Sequence, residues 1–279
     1  MAGGVARARR CHRRRSGAQR RRSRSVNTQT SWQFSPDEFL WVWAAETGLD
    51  RTPFPVSIIE SPGTAEEYAR LRAEIASRYP RHGDPDLTGP LRALAEPEIQ
   101  IVLWGRNPRS ETRLRTLAAA VGDLGVILFQ KPGPTAEFGL GLKLVVTRRA
   151  QLGRHIAATM PQTPAGAAGR LVGYTPRVRG EEPPSSWLRN DDGQRPVEER
   201  IRLLLRAPRA AEGYIRIERH PGSQPAHPPH YLTWIDIREG TPAAGRYLID
   251  VDDNDSVLTP AAPDIIAREV ARRAGLDSR

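Results

Sequence analysis

Two segments far apart in the sequence follow one pattern, and this repetition constrains the fold more than any other feature. An alternating apolar run at 140–146 stops at Thr147 and gives way to a helical pattern. A second alternating run at 247–258 stops at Thr259 and again gives way to a helical pattern. A period of two that changes at a threonine to a period of 3.6 predicts a strand, an N-cap and a helix. The chain is therefore expected to contain two related halves.

Each half also contains earlier strand candidates joined by short connections. Gly122-Asp123 predicts a tight hairpin, and Ser35–Glu38 and Thr64–Glu67 predict capping boxes at two helix starts. The predicted strands are 98–105, 114–121, 124–130, 138–147, 213–219, 231–239 and 245–251. The predicted helices begin near residues 35, 64, 91, 149, 196 and 260. Clustered strands followed by helices favour an α+β fold, with two pseudo-equivalent halves around a largely antiparallel central sheet and flanking helices.

Composition divides the chain into four segments. Residues 1–25 are rich in arginine and are expected to be a disordered tail. Residues 26–160 form the predicted N-terminal half and residues 195–279 the C-terminal half. Between them, residues 161–194 are rich in proline and glycine, so we predict a linker with little regular structure there.

The positive charge is concentrated in the tail. The chain carries 42 basic and 32 acidic residues, and ten of the arginines lie before residue 25, so the remainder is formally neutral. A nucleic-acid-binding fold usually carries its basic patch on the folded body, which argues against nucleic-acid binding by the body. The tail is open to three interpretations: a basic arm, an organellar presequence, or an over-called start upstream of Val26.

No catalytic, cofactor or metal motif is complete in the sequence. The acidic segment 250–255 resembles the start of a calcium loop, but Asp255 and Ala261 replace the glycine and glutamate that an EF-hand requires. His227 and His230 are separated by two prolines and lack a nearby third ligand. We therefore predict no catalytic residue, no cofactor and no metal. The single cysteine, Cys11, and the absence of an apolar run near 20 residues predict a cytoplasmic protein without membrane insertion.

The polar loop 105–113 is the strongest candidate for a binding surface. It combines Trp104 with Arg106, Arg109 and Arg113. Tryptophan and arginine are enriched where proteins bind one another, and a guanidinium group can pair with a carboxylate while stacking on apolar surface. An ordinary solvated hairpin loop is the alternative interpretation of the same residues.

The order of these signals resembles the EspG family of type VII (ESX) secretion-associated proteins of actinobacteria. Three features carry the resemblance. The first is an acidic opening helix after a short strand, at 32–39, and the second is a Leu-x-x-Leu motif before a strand, near 91–97. The third is the ending, in which Gly-Arg-Tyr-Leu at 245–248 and Val-Leu-Thr-Pro at 257–260 precede an amphipathic helix. The resemblance covers roughly residues 31–275.

This resemblance implies a cytosolic chaperone that binds secreted PE–PPE heterodimers at the tip of the PPE partner and keeps them soluble. It also implies two α/β halves around a central sheet. The resemblance also implies substrate contacts on a loop of the first half and on the C-terminal half. By position, the loop 105–113 corresponds to the first of these, and we expect it to contact the client together with part of the second half. Another small helical type VII substrate is an alternative client. Two other function classes stay open from the residues alone: an enzyme with dispersed catalytic residues, and a nucleic-acid-associated protein that acts through its tail.

Overall fold

The computed structural model of the protein describes residues 30–61, 63–183, 195–224 and 227–277. The predicted tail (1–25), its boundary at Val26 and the second part of the predicted linker (184–194) lie outside these ranges. Within the described residues, ten strands form one sheet: β1 Ser31–Phe34, β2 Ile99–Arg106, β3 Arg113–Val121, β4 Leu124–Pro132, β5 Gly139–Arg148, β6 Leu171–Tyr174, β7 Arg209–Arg219, β8 His230–Ile237, β9 Gly245–Val251 and β10 Asp255–Pro260. The α-helices are α1 Pro36–Thr47, α2 Ala65–Arg78, α3 Pro85–Ala95, α4 Leu152–Thr159, α5 Thr175–Arg179, α6 Val197–Arg206 and α7 Pro263–Ala274.

The predicted α+β class and the single antiparallel sheet are confirmed. The strand order is β1-β5-β4-β3-β2-β7-β8-β9-β10-β6, and every pair in it is antiparallel. The sequence of elements β1, α1 to α3, β2 to β5 and α4 recurs as β6, α5 and α6, β7 to β10 and α7. The two halves therefore have matching topology, and they join where β2 pairs with β7. We call this β2–β7 pair the seam.

The helices cover the two faces of the sheet differently. On one face, which we call the closed face, α4 and α7 pack over the central strands; Ile101, Ile215 and Ile266 are fully buried there. On the other face, α1 and α3 pack over the outer strands of the first half, and α5 and α6 pack over those of the second half. We call this the open face, because side chains of the seam remain partly exposed between the two helical layers.

Local sequence signals determine several of the helix ends. Both capping boxes are present, with reciprocal bonds between Ser35 and Glu38 and between Thr64 and Glu67. Helices α1 and α7 end at Gly48 and Gly275, whose φ angles of 74° and 63° favour glycine. Gly122 and Asp123 form the predicted tight turn, since Val121 pairs with Leu124.

The two predicted threonine caps are wrong. Strand β5 continues through Thr147, and α4 begins only after Gln151. Thr259 lies within β10 and pairs with Leu248, and the N-cap of α7 is Ala262. A β-branched residue suits a strand, and cross-strand pairing here prevails over local capping.

The prediction of little regular structure in the linker is also wrong for residues 171–179. Strand β6 pairs with β10 at the edge of the sheet, where Leu171 lies opposite Leu258. Helix α5 follows directly, and its Val178 packs into the core of the second half. By position in the repeat, we propose that β6 and α5 belong to the C-terminal half rather than to a linker.

Candidate functional site

The loop predicted as a binding surface is a compact turn at one end of the seam. The Asn107 carboxamide oxygen accepts bonds from the backbone amides of Arg109 and Ser110 at 2.9 and 3.3 Å. The Asn107 amide donates to the Thr112 carbonyl at 3.0 Å, and Glu111 adopts a φ of 55°. These bonds hold residues 107–112 in one shape and leave the Arg109 side chain exposed.

Arg106 and Arg113 lie opposite each other at the start of this turn. Like charges in such a cross-strand pair repel, and two neighbouring groups offset the repulsion. Arg106 is ion-paired with Glu212 of β7, with its Nε 2.7 Å from the carboxylate. The Arg113 guanidinium lies 5.3 Å from the centre of the Trp104 ring, within the range of a cation–π contact.

Glu212 links the two halves through charge. It binds Arg106 of the first half and Arg209 of the second. Although burial alone would raise the pKa of Glu212, hydrogen bonds from Arg209 and Arg106 lower it below its usual value. The carboxylate is therefore held in its charged form, and Arg106 is already neutralised by a partner on its own molecule.

Trp104 extends the site across the seam. It lies opposite Tyr214 of β7, and the two rings stack with their centres 5.6 Å apart and their planes at 22°. Tyr214 in turn meets Tyr231 of β8 edge-on at 5.7 Å. Arg113, Trp104, Tyr214 and Tyr231 thus form a row across β3, β2, β7 and β8 on the open face. We call it the aromatic row.

Phe54 lies beside this row, in the segment between α1 and α2. Its ring is 5.7 Å from the Arg216 guanidinium of β7. Phe54 and Tyr231 are 52% and 50% exposed, among the most exposed large apolar side chains of the described residues.

The structure therefore brings Trp104, Arg106 and Arg113 together and adds three aromatic residues that sequence reasoning missed. Alternation along β7 places Tyr214 and Arg216 on one face, but the partners across the seam depend on register.

The closed face carries a second feature behind the same turn. A groove of about 600 Å³ lies between the end of the seam and residues 161–164, with Trp234 and Asp236 among its lining residues. Asp236 is buried, and both of its oxygens accept bonds of 2.7 Å from the buried Arg246. Thr163 also donates to Asp236, and Arg246 donates to the Pro161 carbonyl. This ion pair anchors the segment that leads away from α4.

The acidic segment considered for calcium binding forms an ordinary turn, and His230 of the histidine pair begins β8. Asp252 accepts bonds from the amides of Asn254 and Asp255 in the turn between β9 and β10. These bonds lower the pKa of the Asp252 carboxyl. Within the described ranges, no group of three or more His, Cys, Asp or Glu side chains is arranged to hold a metal ion. None of the helices described is long and apolar enough to cross a membrane.

Comparison with known proteins places this geometry in a family. The fold is similar to that of the Mycobacterium tuberculosis type VII secretion system chaperone EspG5, solved in complex with the PE25–PPE41 dimer. The TM-score is 0.57 and the identity 13%, and the match covers 88% of this chain and 95% of that chain. No curated protein matches the sequence. The family model of the EspG family matches residues 35–272, so the chain belongs to the EspG family.

Proposed function

We propose that this protein is a chaperone of a type VII secretion system that binds a PE–PPE-like heterodimer in the cytoplasm and keeps it soluble. Family membership over residues 35–272 is the observation that carries this proposal. The likeness to EspG5, whose solved complex contains a PE25–PPE41 dimer, adds support from the fold. The role is binding without catalysis, and the client is a helical substrate of the secretion system.

The proposed contact surface is the turn at the end of the seam, with Trp104, Arg106, Arg109 and Arg113. The turn projects from a rigid antiparallel pair, and its own hydrogen bonds fix its shape before any client arrives. A surface that is already ordered loses little conformational entropy on binding. Three arginines beside one tryptophan offer both charge and apolar area to a protein partner.

Co-expression with a PE–PPE pair from the same genome tests this function. The untagged pair should co-purify with the tagged chaperone and should precipitate when expressed without it. Failure of every such pair to co-purify with the wild-type protein would overturn the proposal.

The contact surface is tested separately by replacing Arg106, Arg109 and Arg113 together with alanine. We expect the yield of co-purified client to fall at least tenfold. The matched control replaces Arg70, Arg195 and Arg268, whose side chains are 76%, 62% and 71% exposed on other parts of the chain. Surface changes usually alter stability by less than about 0.5 kcal/mol each. Loss of the Arg106–Glu212 pair adds about 1 kcal/mol at most, so both triple variants should fold. Equal client yields from the two variants would exclude the turn as the contact surface.

A further inference from the structure

The aromatic row points to a larger and more specific docking surface than the turn alone. We propose that a single helix of the client packs on the open face across Trp104, Tyr214 and Tyr231, with Phe54 at its side, and that an acidic side chain of this helix pairs with Arg113. This inference rests on the proposed function and specifies the partner's structure, its apolar face and its charge.

Exposure of the row is the first argument. Tyr231 and Phe54 are each about half exposed. Tyr231 lies against Tyr214, which stacks on Trp104, and Phe54 lies against Arg216 of the same strand as Tyr214. Single exposed apolar side chains are common on protein surfaces, whereas contiguous exposed aromatic surface marks an interaction site. Because the row crosses the seam, it depends on both halves of the molecule.

Rigidity is the second argument. Four antiparallel strands carry the row, and stacking between Trp104 and Tyr214 already fixes two of the rings. Tyrosine and tryptophan have few rotatable bonds, so they contribute contact area at low entropic cost. The row is therefore organised for a partner before the partner binds.

The width of the row identifies the partner as one helix. From β3 to β8 the row spans three inter-strand steps of about 4.8 Å, or roughly 14 Å. One α-helix with its side chains is about 10–12 Å across, and two packed helices would need about 8–10 Å more. The row therefore matches the width of a single helix.

The charges beside the row determine which groups the helix carries. Arg106 is paired with Glu212, and Arg216 binds Gln100 at 3.3 Å and lies 3.5 Å from Glu218. Arg113 stacks on Trp104 and forms no ion pair with any carboxylate in the described part of the chain. A carboxylate on the client would supply the missing counter-charge, and the guanidinium can pair with it while keeping its contact with the ring. Arg113 is thus assigned the ion pair with the client, whereas the charge of Arg106 is already balanced by Glu212.

The affinity of the purified protein for one PE–PPE pair, measured by calorimetry, tests this surface. Trp104→Ala, Tyr231→Ala and Arg113→Ala should each raise Kd about 10- to 100-fold, as for residues at the centre of an interface. Tyr68→Ala is the matched control, because Tyr68 is 37% exposed on α2 and also lies against an arginine. Circular dichroism checks that each variant is folded. If Tyr231→Ala does not fold, Phe54→Ser takes its place, because Phe54 lies in a loop rather than in the sheet.

The charge is tested by reversal. Arg113→Glu should abolish binding, and exchanging the client's contacting acid for lysine should restore it at least tenfold. A wild-type protein that binds no pair overturns the proposed function. A wild-type protein that binds, with Tyr231→Ala or Phe54→Ser within twofold of Tyr68→Ala, overturns only the inference. Tighter binding of a single-stranded oligonucleotide than of the pair, or self-association through this face, would also overturn it.

Discussion

The two ends of the seam share one backbone geometry and differ in chemistry. At one end of the open face Trp104 lies opposite Tyr214, and at the other end Gln100 lies opposite Glu218. The aromatic end continues into Tyr231 and the turn 107–112. At the polar end, the guanidinium group of Arg216 donates to Gln100 and lies 3.5 Å from Glu218. The two halves have matching topology, yet one end of the seam presents aromatic rings and the other presents polar side chains, so the proposed contact surface lies at the aromatic end alone.

Placing the residue types of the polar pair, Gln100 and Glu218, at the aromatic end should have the largest effect on client affinity. The double variant Trp104→Gln/Tyr214→Glu reproduces at one end the residue types that the same strands tolerate at the other. The fold should persist, while Kd for the client should rise more than about 100-fold because two stacked rings at the centre of the contact are lost. Calorimetry measures the affinity, and the thermal midpoint reports the fold.

Gln100→Ala is the counterpart of that experiment at the polar end, with less than a twofold change in Kd expected. A comparable loss of affinity in both variants would show that the two ends do not differ in function.

Glu212→Gln, at the aromatic end, should have an intermediate effect, which is a loss of stability of the folded protein. It removes the carboxylate that Arg106 and Arg209 share, and hydrogen bonds to charged groups contribute about 1.5–3 kcal/mol. Because Glu212 is partly screened by solvent, we expect a loss below this range, about 1 kcal/mol at pH 7. Urea unfolding measures the difference.

The pH dependence of that difference follows from the lowered pKa of Glu212. A carboxyl whose pKa is lower in the folded protein stabilises it above its unfolded pKa, near 4.3. This contribution is lost as the pH falls through the lower, folded pKa. The stability difference between wild type and Glu212→Gln should therefore be constant from pH 7 to 5 and shrink below pH 4.5. A difference that persists unchanged at the lowest pH at which both proteins fold would assign it to packing.

Some of this organisation could be predicted from sequence because it is local. The capping boxes, Gly48, Gly275 and the turn at Gly122 depend on neighbouring residues only, and the change of period revealed the repeat. The errors have a non-local origin: β6 is a strand because β10 lies beside it, and Thr259 is in a strand because Leu248 pairs with it.

The residues of the candidate site likewise fall into those that local sequence could identify and those that it could not. Trp104, Arg106, Arg109 and Arg113 form one continuous stretch of sequence, so composition alone drew attention to them. Tyr214 lies 110 positions after Trp104 and reaches it only through the register of the seam. A single sequence contains no signal for that register, because the alternation in each strand fixes a face and leaves the opposite partner undetermined.

The smallest effect is expected from a variant that separates the contribution of the Tyr231 ring from that of its hydroxyl group. Tyr231→Phe keeps the edge-on contact with Tyr214 and the exposed ring, and it removes only the phenolic oxygen. If the client packs on apolar surface, Kd should change less than about twofold, since ring area and not a hydrogen bond supplies the contact. Calorimetry with the same PE–PPE pair, run on Tyr231→Phe and Tyr231→Ala in parallel, shows whether the ring or the hydroxyl group supplies the contact. A tenfold loss in Tyr231→Phe would mean that the hydroxyl binds a polar group of the client, and the aromatic row would then recognise a polar segment rather than the apolar face of a helix.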